Sequence, residues 1–274
     1  MRRGALGLGF TALAMRSTAA RADSASLGEL AASALGFELA LALLAFAFAA
    51  RSPLGVRARL GLGKGALPRS ALALLALGTL ALSFALDGAY QRLDPATRGT
   101  LHEFEAELAG IRGGALARAL LSFALVPSIA EELFCRGLLQ RGLSARWGPI
   151  PAILLAALAF GALHVDPTHA LFASALGVYL GAIAHLARSV RAAIGCHLVN
   201  NAAAILGAAF APAAGATFAP EVGAAPAALP LAAAGLSLGA LGWCWRRFAR
   251  ERCEPSARLE RASGLQNGAG SVDA

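Results

Sequence analysis

Apolar residues come in long blocks along this chain, with short polar segments between them. The blocks cover roughly residues 27–50, 70–88, 115–138, 147–165, 168–187, 190–211 and 227–246. Each is about 18 to 24 residues long, enough to cross ~30 Å of hydrocarbon as a helix. The pattern predicts an all-α fold, a multi-pass transmembrane bundle of about seven spans. Residues 1–22, MRRGALGLGFTALAMRSTAARA, put two arginines ahead of a short apolar stretch and end on Ala20-Arg21-Ala22, a small-x-small pattern. They read as a signal peptide or as a disordered N-terminus; retained in the membrane, they would add an eighth span. Residues 23–114 then hold two N-terminal spans and, over 91–112, an amphipathic helix with Phe104, Leu108 and Ile111 at helical spacing, expected at the membrane interface. Residues 115–211 form the core that carries the chemistry, 212–247 a last loop and span, and 248–274 a polar tail expected to be cytoplasmic and disordered.

Composition sharpens this picture. Of 274 residues 57% are hydrophobic and only 15% charged, against ~25% charged in soluble domains. The net charge is +8, and its arginines lie between the apolar blocks. Segments 51–69, 139–146, 188–191 and the start of the tail are basic; 89–114, 166–167 and 212–226 are not. That alternation is a topology signal, not a nucleic-acid footprint. It predicts a multi-pass protein of the cell (inner) membrane with a cytoplasmic C-terminus, whose surroundings are the lipid bilayer and whose partners include no nucleic acid. The four cysteines show neither CxxC spacing nor a Cys/His cluster.

Charge inside a membrane is costly, so ionisable residues there usually face the bundle interior and serve a function. The third block ends in Glu131, Glu132 and Arg136. Glu132 and Arg136 are four apart and share a helical face, in the favourable order. Glu131 is rotated about 100° away and has no helical partner. A carboxylate left alone in an apolar setting holds a proton more tightly, which suits it to proton transfer at neutral pH. The fourth block carries Phe160 and His164 on one face. The sixth carries His197 and Asn201 on one face, where imidazole and carboxamide can both donate to a developing oxyanion. Each group also has a structural reading: an ion-paired helix end, an interfacial histidine, interhelical hydrogen bonds. Together, one carboxylate, two imidazoles and an amide suffice to activate a water and stabilise a tetrahedral intermediate.

At these residues the sequence resembles the CAAX prenyl protease and bacteriocin-processing (CPBP, or Abi) family of intramembrane endopeptidases, with its ordered motifs EExxxR, FxxxH and HxxxN. Here they read Glu131-Glu132-Leu-Phe-Cys-Arg136, Phe160-Gly-Ala-Leu-His164 and His197-Leu-Val-Asn-Asn201, followed after the first by Gly137. The resemblance covers about residues 115–211. It implies hydrolysis of peptide bonds in membrane-associated peptides or proteins. Glu131 would activate the water with His164 nearby, His197 and Asn201 would stabilise the oxyanion, and Glu132, Arg136 and Phe160 would support the site.

Two mechanisms stay open. Glu131, His164 and His197 could ligate one divalent ion such as zinc and leave a position for water, or the glutamate could work without metal. The HExxH zinc signature is absent, as is a GxSG serine motif. The alternative is a non-catalytic membrane protein, a transporter or an immunity or scaffold factor, whose polar groups only join helices. Counting helical rise from the expected cytoplasmic turns puts Glu131 roughly 16 Å deep, His164 roughly 25 Å and His197 roughly 10 Å. Catalysis therefore requires a tilt, a break at Gly137 or Gly142, or shifted boundaries. The expectation is that the carboxylate and both imidazoles converge on one polar cavity.

Overall fold

Lipid cannot satisfy backbone N–H and C=O groups, so an apolar chain folds as helices that satisfy their own. The computed structural model describes residues 27–93, 104, 107–164, 166–210 and 226–249. Among them all regular structure is helical: α1 Leu27–Ala50, α2 Val56–Arg59, α3 Arg69–Tyr90, α4 Gly113–Trp147, α5 Pro149–Ala162, α6 Pro167–Ala187, α7 Val190–Phe210 and α8 Ala228–Phe248. Six of these are long and apolar enough to cross a membrane, which bears out the all-α, multi-pass bundle. Large apolar side chains such as Leu39, Leu43, Phe48, Leu171, Leu231 and Leu236 point outward from it. In water such a surface would be a liability; in a bilayer it is the lipid-facing coat. The N-terminal 1–22 segment and the tail beyond 249 lie outside the described residues.

The third helix departs from expectation. Residues 139–146, expected as a loop, are helical, and α4 runs 35 residues without a break. Neither Gly137 nor Gly142 ends it. Instead the helix widens to π geometry twice, over Leu121–Leu125 and Leu133–Gln140. The first widening runs up to Pro127, whose ring crowds the preceding turn and which has no N–H to donate. Gly148 finally stops α4 with φ +81, and Pro149 opens α5. The α5 helix has 14 residues, about 21 Å, so the expected span 147–165 is shorter than a full crossing.

Small residues set the spacing around the core. A Cβ on Gly161 would lie 2.5 Å from the Ala170 carbonyl, and one on Gly177 would lie 3.1 Å from Ala157 Cα, so α5 and α6 pack backbone to backbone. At the basic end, Ala66 N donates to Ala187 O (2.8 Å), Val190 N to Gly61 O (3.0 Å) and Ser189 Oγ to Gly63 O (2.8 Å). Arg141 Nε donates to Arg59 O at 3.2 Å. The basic segments 51–69, 139–146 and 188–191 thus gather at one end, as charge alternation requires. Of the expected interfacial helix, residues 94–103, 105 and 106 lie outside the described set. Its apolar face is turned into the bundle: Phe104, Leu108 and Ile111 pack with Ala119, Ala124 and Ile205.

Candidate active site

Arg136 is the anchor of the polar cluster. It is 1% exposed, and a guanidinium so deep needs a counter-charge. Glu132, one turn back on α4, supplies it at 2.6 Å. The second Nη of Arg136 donates to Gly177 O on α6 at 2.8 Å, and one turn later Gln140 Nε2 donates to Gly181 O at 2.9 Å. Residues 136 and 140 therefore meet 177 and 181 as matched rungs. The two glycines leave the α6 backbone open to them: a Cβ on Gly181 would sit 2.8 Å from Gln140 Oε1. Phe160 of α5 lies under the guanidinium, 4.5 Å from its ring centroid, a cation–π contact.

Glu132 Oε1 accepts a second hydrogen bond, from His197 Nδ1 of α7 at 3.1 Å. A neutral imidazole whose Nδ1 donates presents Nε2 as an acceptor. Asn201, one turn on, donates its amide to that Nε2 at 3.1 Å and to Phe123 O at 3.4 Å. Phe123 is the residue whose carbonyl Pro127, four positions later, cannot serve. The proline in α4 and the asparagine in α7 are thereby complementary. Asn200 donates to Asn201 Oδ1 at 3.2 Å, which holds the carboxamide from its other side.

Glu131 faces the same histidine from the other direction. Its Oε2 lies 3.7 Å from His197 Nε2, and the residue is 6% exposed. That gap is too long for a hydrogen bond and close enough to orient both groups on one small molecule or carbonyl. No hydrogen bond or ion pair joins Arg136 to Glu131 among the described residues; the arginine is committed to Glu132.

His164 stands one ring away. Phe160 meets it edge-on at 5.2 Å between centroids and meets His197 edge-on at 5.5 Å, so the phenyl ring touches both imidazoles. His164 Nδ1 bonds to Phe160 O at 3.0 Å, and its ring contacts that of His169 at 4.4 Å. His169 is partly buried, and Asp166 caps α6 by accepting from His169 N at 2.9 Å. These two residues help to build the end of the site. The feared mismatch in depth between Glu131 and His164 came from the assumed loop at 139–146. Counted from Gly148, the two lie roughly 25 Å and 24 Å along antiparallel helices.

Among the described residues, no group of three His, Cys, Asp or Glu side chains could hold a metal ion. Glu131, His164 and His197 are not gathered into such a group. No step is drawn through a metal. A cavity of about 650 Å³ does reach the cluster, from the basic end. Its lining includes Arg59, Arg136, Gln140, Arg141 and Arg188, but not Glu131, His164, His197 or Asn201.

The sequence reading missed two buried polar residues of the cluster. Glu38 of α1 is 5% exposed and hydrogen-bonds to Glu131. The signal was present: a carboxylate halfway along a 24-residue apolar helix. Ser128, fully buried one turn before Glu132, was missed as well. Cys135 and Cys196 are buried and unoxidised, small apolar side chains beside the site.

Residues 114–203 match the family model described as type II CAAX prenyl endopeptidase Rce1-like. Neither a curated protein nor a solved structure matches the chain. The matched segment runs from the start of α4 to the middle of α7, and so contains all three motifs and every contact that ties them together. The match bears out the resemblance to the CPBP family over residues 114–203, the part of the chain that carries its motifs.

Proposed function

We propose that this protein is an intramembrane endopeptidase that hydrolyses peptide bonds of membrane-associated substrates through a water activated by Glu131. The observation that carries the reading is the division of labour between adjacent glutamates. Glu132 is bound by Arg136 and His197 through one oxygen, while Glu131 faces His197 Nε2 and, among the described residues, pairs with no arginine or lysine. Glu131 takes a proton from water, the water oxygen bonds to the scissile carbonyl carbon, and negative charge moves to the carbonyl oxygen. Asn201 stabilises that oxygen by turning one N–H from the imidazole toward it, and His197 joins it in the imidazolium form, which keeps Nδ1–H on Glu132 and presents Nε2–H to the oxyanion. Glu131 then passes its proton to the leaving nitrogen as the C–N bond breaks. Phe160 and Arg136 hold the walls of the site, and His164 borders the path that a substrate takes past Phe160.

The protein works in this reading as a multi-pass cell-membrane enzyme, with the basic end of the bundle and the C-terminus in the cytoplasm. Its substrate is a membrane-associated peptide or protein. The second reading, a non-catalytic protein, draws on one observation: the same hydrogen bonds that would poise Glu132, His197 and Asn201 also join α4, α6 and α7. Purified protein should cut a membrane peptide, and Glu131→Gln and His197→Ala should each abolish cutting. If both variants cut at the wild-type rate, the enzyme reading fails. A parallel chelator test separates a metal-assisted water from one that Glu131 activates unaided: loss of activity that added zinc restores would assign the metal.

A further inference from the structure

Helix α1 lies outside the segment that matches the family, yet it reaches the reacting centre. Its buried positions, Ala31, Glu38, Leu41, Ala45 and Ala49, form a single stripe. Leu39, Leu43, Leu44, Phe46 and Phe48 face outward as a lipid coat. Four of the five stripe residues are apolar and small enough, or shaped, to pack. The fifth is a carboxylic acid, twelfth of 24 residues in the helix, and so at mid-membrane depth where an acid is most costly. It meets the Val126–Glu132 stretch of α4, against which α1 packs.

The Glu38 carboxyl hydrogen-bonds to the Glu131 carboxyl. Among the described residues its Oε2 has no hydrogen-bond partner and no arginine or lysine forms an ion pair with it. Two carboxyl groups meet oxygen to oxygen only with a proton between them. The contact therefore gives the pair one shared proton, which sits on Glu38 when Glu131 acts as the base, and fixes the direction of the Glu131 side chain.

We propose that Glu38 is a positioning residue of the active site: its hydrogen bond from α1 holds the Glu131 carboxyl toward His197. The proposal rests on the hydrolytic reading of Glu131. It extends the functional unit from residues 114–203 to α1. Displacing a reacting group by about 1 Å costs on the order of 100-fold in rate, so loss of this contact should act on turnover.

The test compares Glu38→Ala, Glu38→Gln and Glu131→Gln in the full-length detergent-purified chain, with a membrane-anchored peptide as substrate. Glu38→Ala should lower kcat by about 10- to 100-fold with little change in KM. Glu38→Gln, which can donate or accept in the same place, should restore most of it. A Glu38→Ala enzyme with wild-type kcat beside an inactive Glu131→Gln enzyme overturns the positioning role and leaves the hydrolytic reading intact. Wild-type cutting by Glu131→Gln sinks the hydrolytic reading itself. Infrared difference spectra in H₂O and D₂O decide the contact without substrate. The wild type should show a protonated-carboxyl band that both Glu38→Gln and Glu131→Gln displace; a band unmoved by Glu38→Gln overturns the proposal.

Discussion

At the scale of single residues, the cluster is organised by who satisfies whom. Arg136 and Glu132 are each fully buried, and neither is tolerable alone. Replacing Arg136 by Met should cost about 3–5 kcal/mol, read as a loss of thermal stability in detergent. The double variant Glu132→Leu with Arg136→Met should recover part of it, since it removes the orphaned charge as well. Asn201→Ala should behave differently. It removes donors to His197 and Phe123 O, with about 1 kcal/mol lost from folding and about 100-fold lost from kcat if the amide serves the oxyanion. Equal loss of stability and no loss of turnover would assign Asn201 to helix joining alone.

Helix by helix, the site depends on where backbones come close. Gly137 lies under the loop after α2, where a Cβ would stand 3.0 Å from Leu60 O. Arg59 donates to Gly137 O (3.2 Å) and Leu138 O (2.9 Å), within the π-widened turn whose hydrogen-bond pattern is loosened. Gly137→Ala should therefore destabilise the protein by about 1–3 kcal/mol. On α1, Gly36 has nothing near it, and Gly36→Ala should be neutral or stabilise by about 0.5–1 kcal/mol. Matched unfolding curves check both; a neutral Gly137→Ala would mean that α2 does not rest on α4 as described. Helix existence was legible from the apolar blocks, because length and hydropathy alone decide it. The course of α4 was not, because Gly137 and Gly142 look like breakers in sequence and only their neighbours Leu60 and Arg59 show that they are contact points. Glu131's separation from Arg136 was legible from helical geometry. Glu38 was legible as a lone acid in an apolar helix, but its link to Glu131 was not, because a pairing across helices leaves no local spacing to read.

For the whole molecule, the gathering of basic segments at one end is the main structural counterpart of the charge pattern. Residues 58–66, 141 and 187–190 are hydrogen-bonded together there, so they occupy one side of the membrane. The positive-inside rule assigns that side to the cytoplasm. A thiol introduced by Ser52→Cys should then be labelled from the cytoplasmic face, and one introduced by Leu93→Cys from the opposite face. The reverse pattern would invert the topology without altering the bundle. The same end holds the cavity that stops at Arg136 and Gln140, so a substrate entering there would meet the supporting residues before the reacting ones.

The central claim is that an acid denied its neighbour's guanidinium activates water inside the bundle. The most direct measurement is cleavage of a membrane-anchored peptide in ¹⁸O-labelled water, followed by mass spectrometry of the new carboxyl terminus. Wild-type protein should place one ¹⁸O there in a single turnover, and Glu131→Gln should slow its appearance by about 1000-fold or more. Label appearing at the same rate with Glu131→Gln would contradict the account.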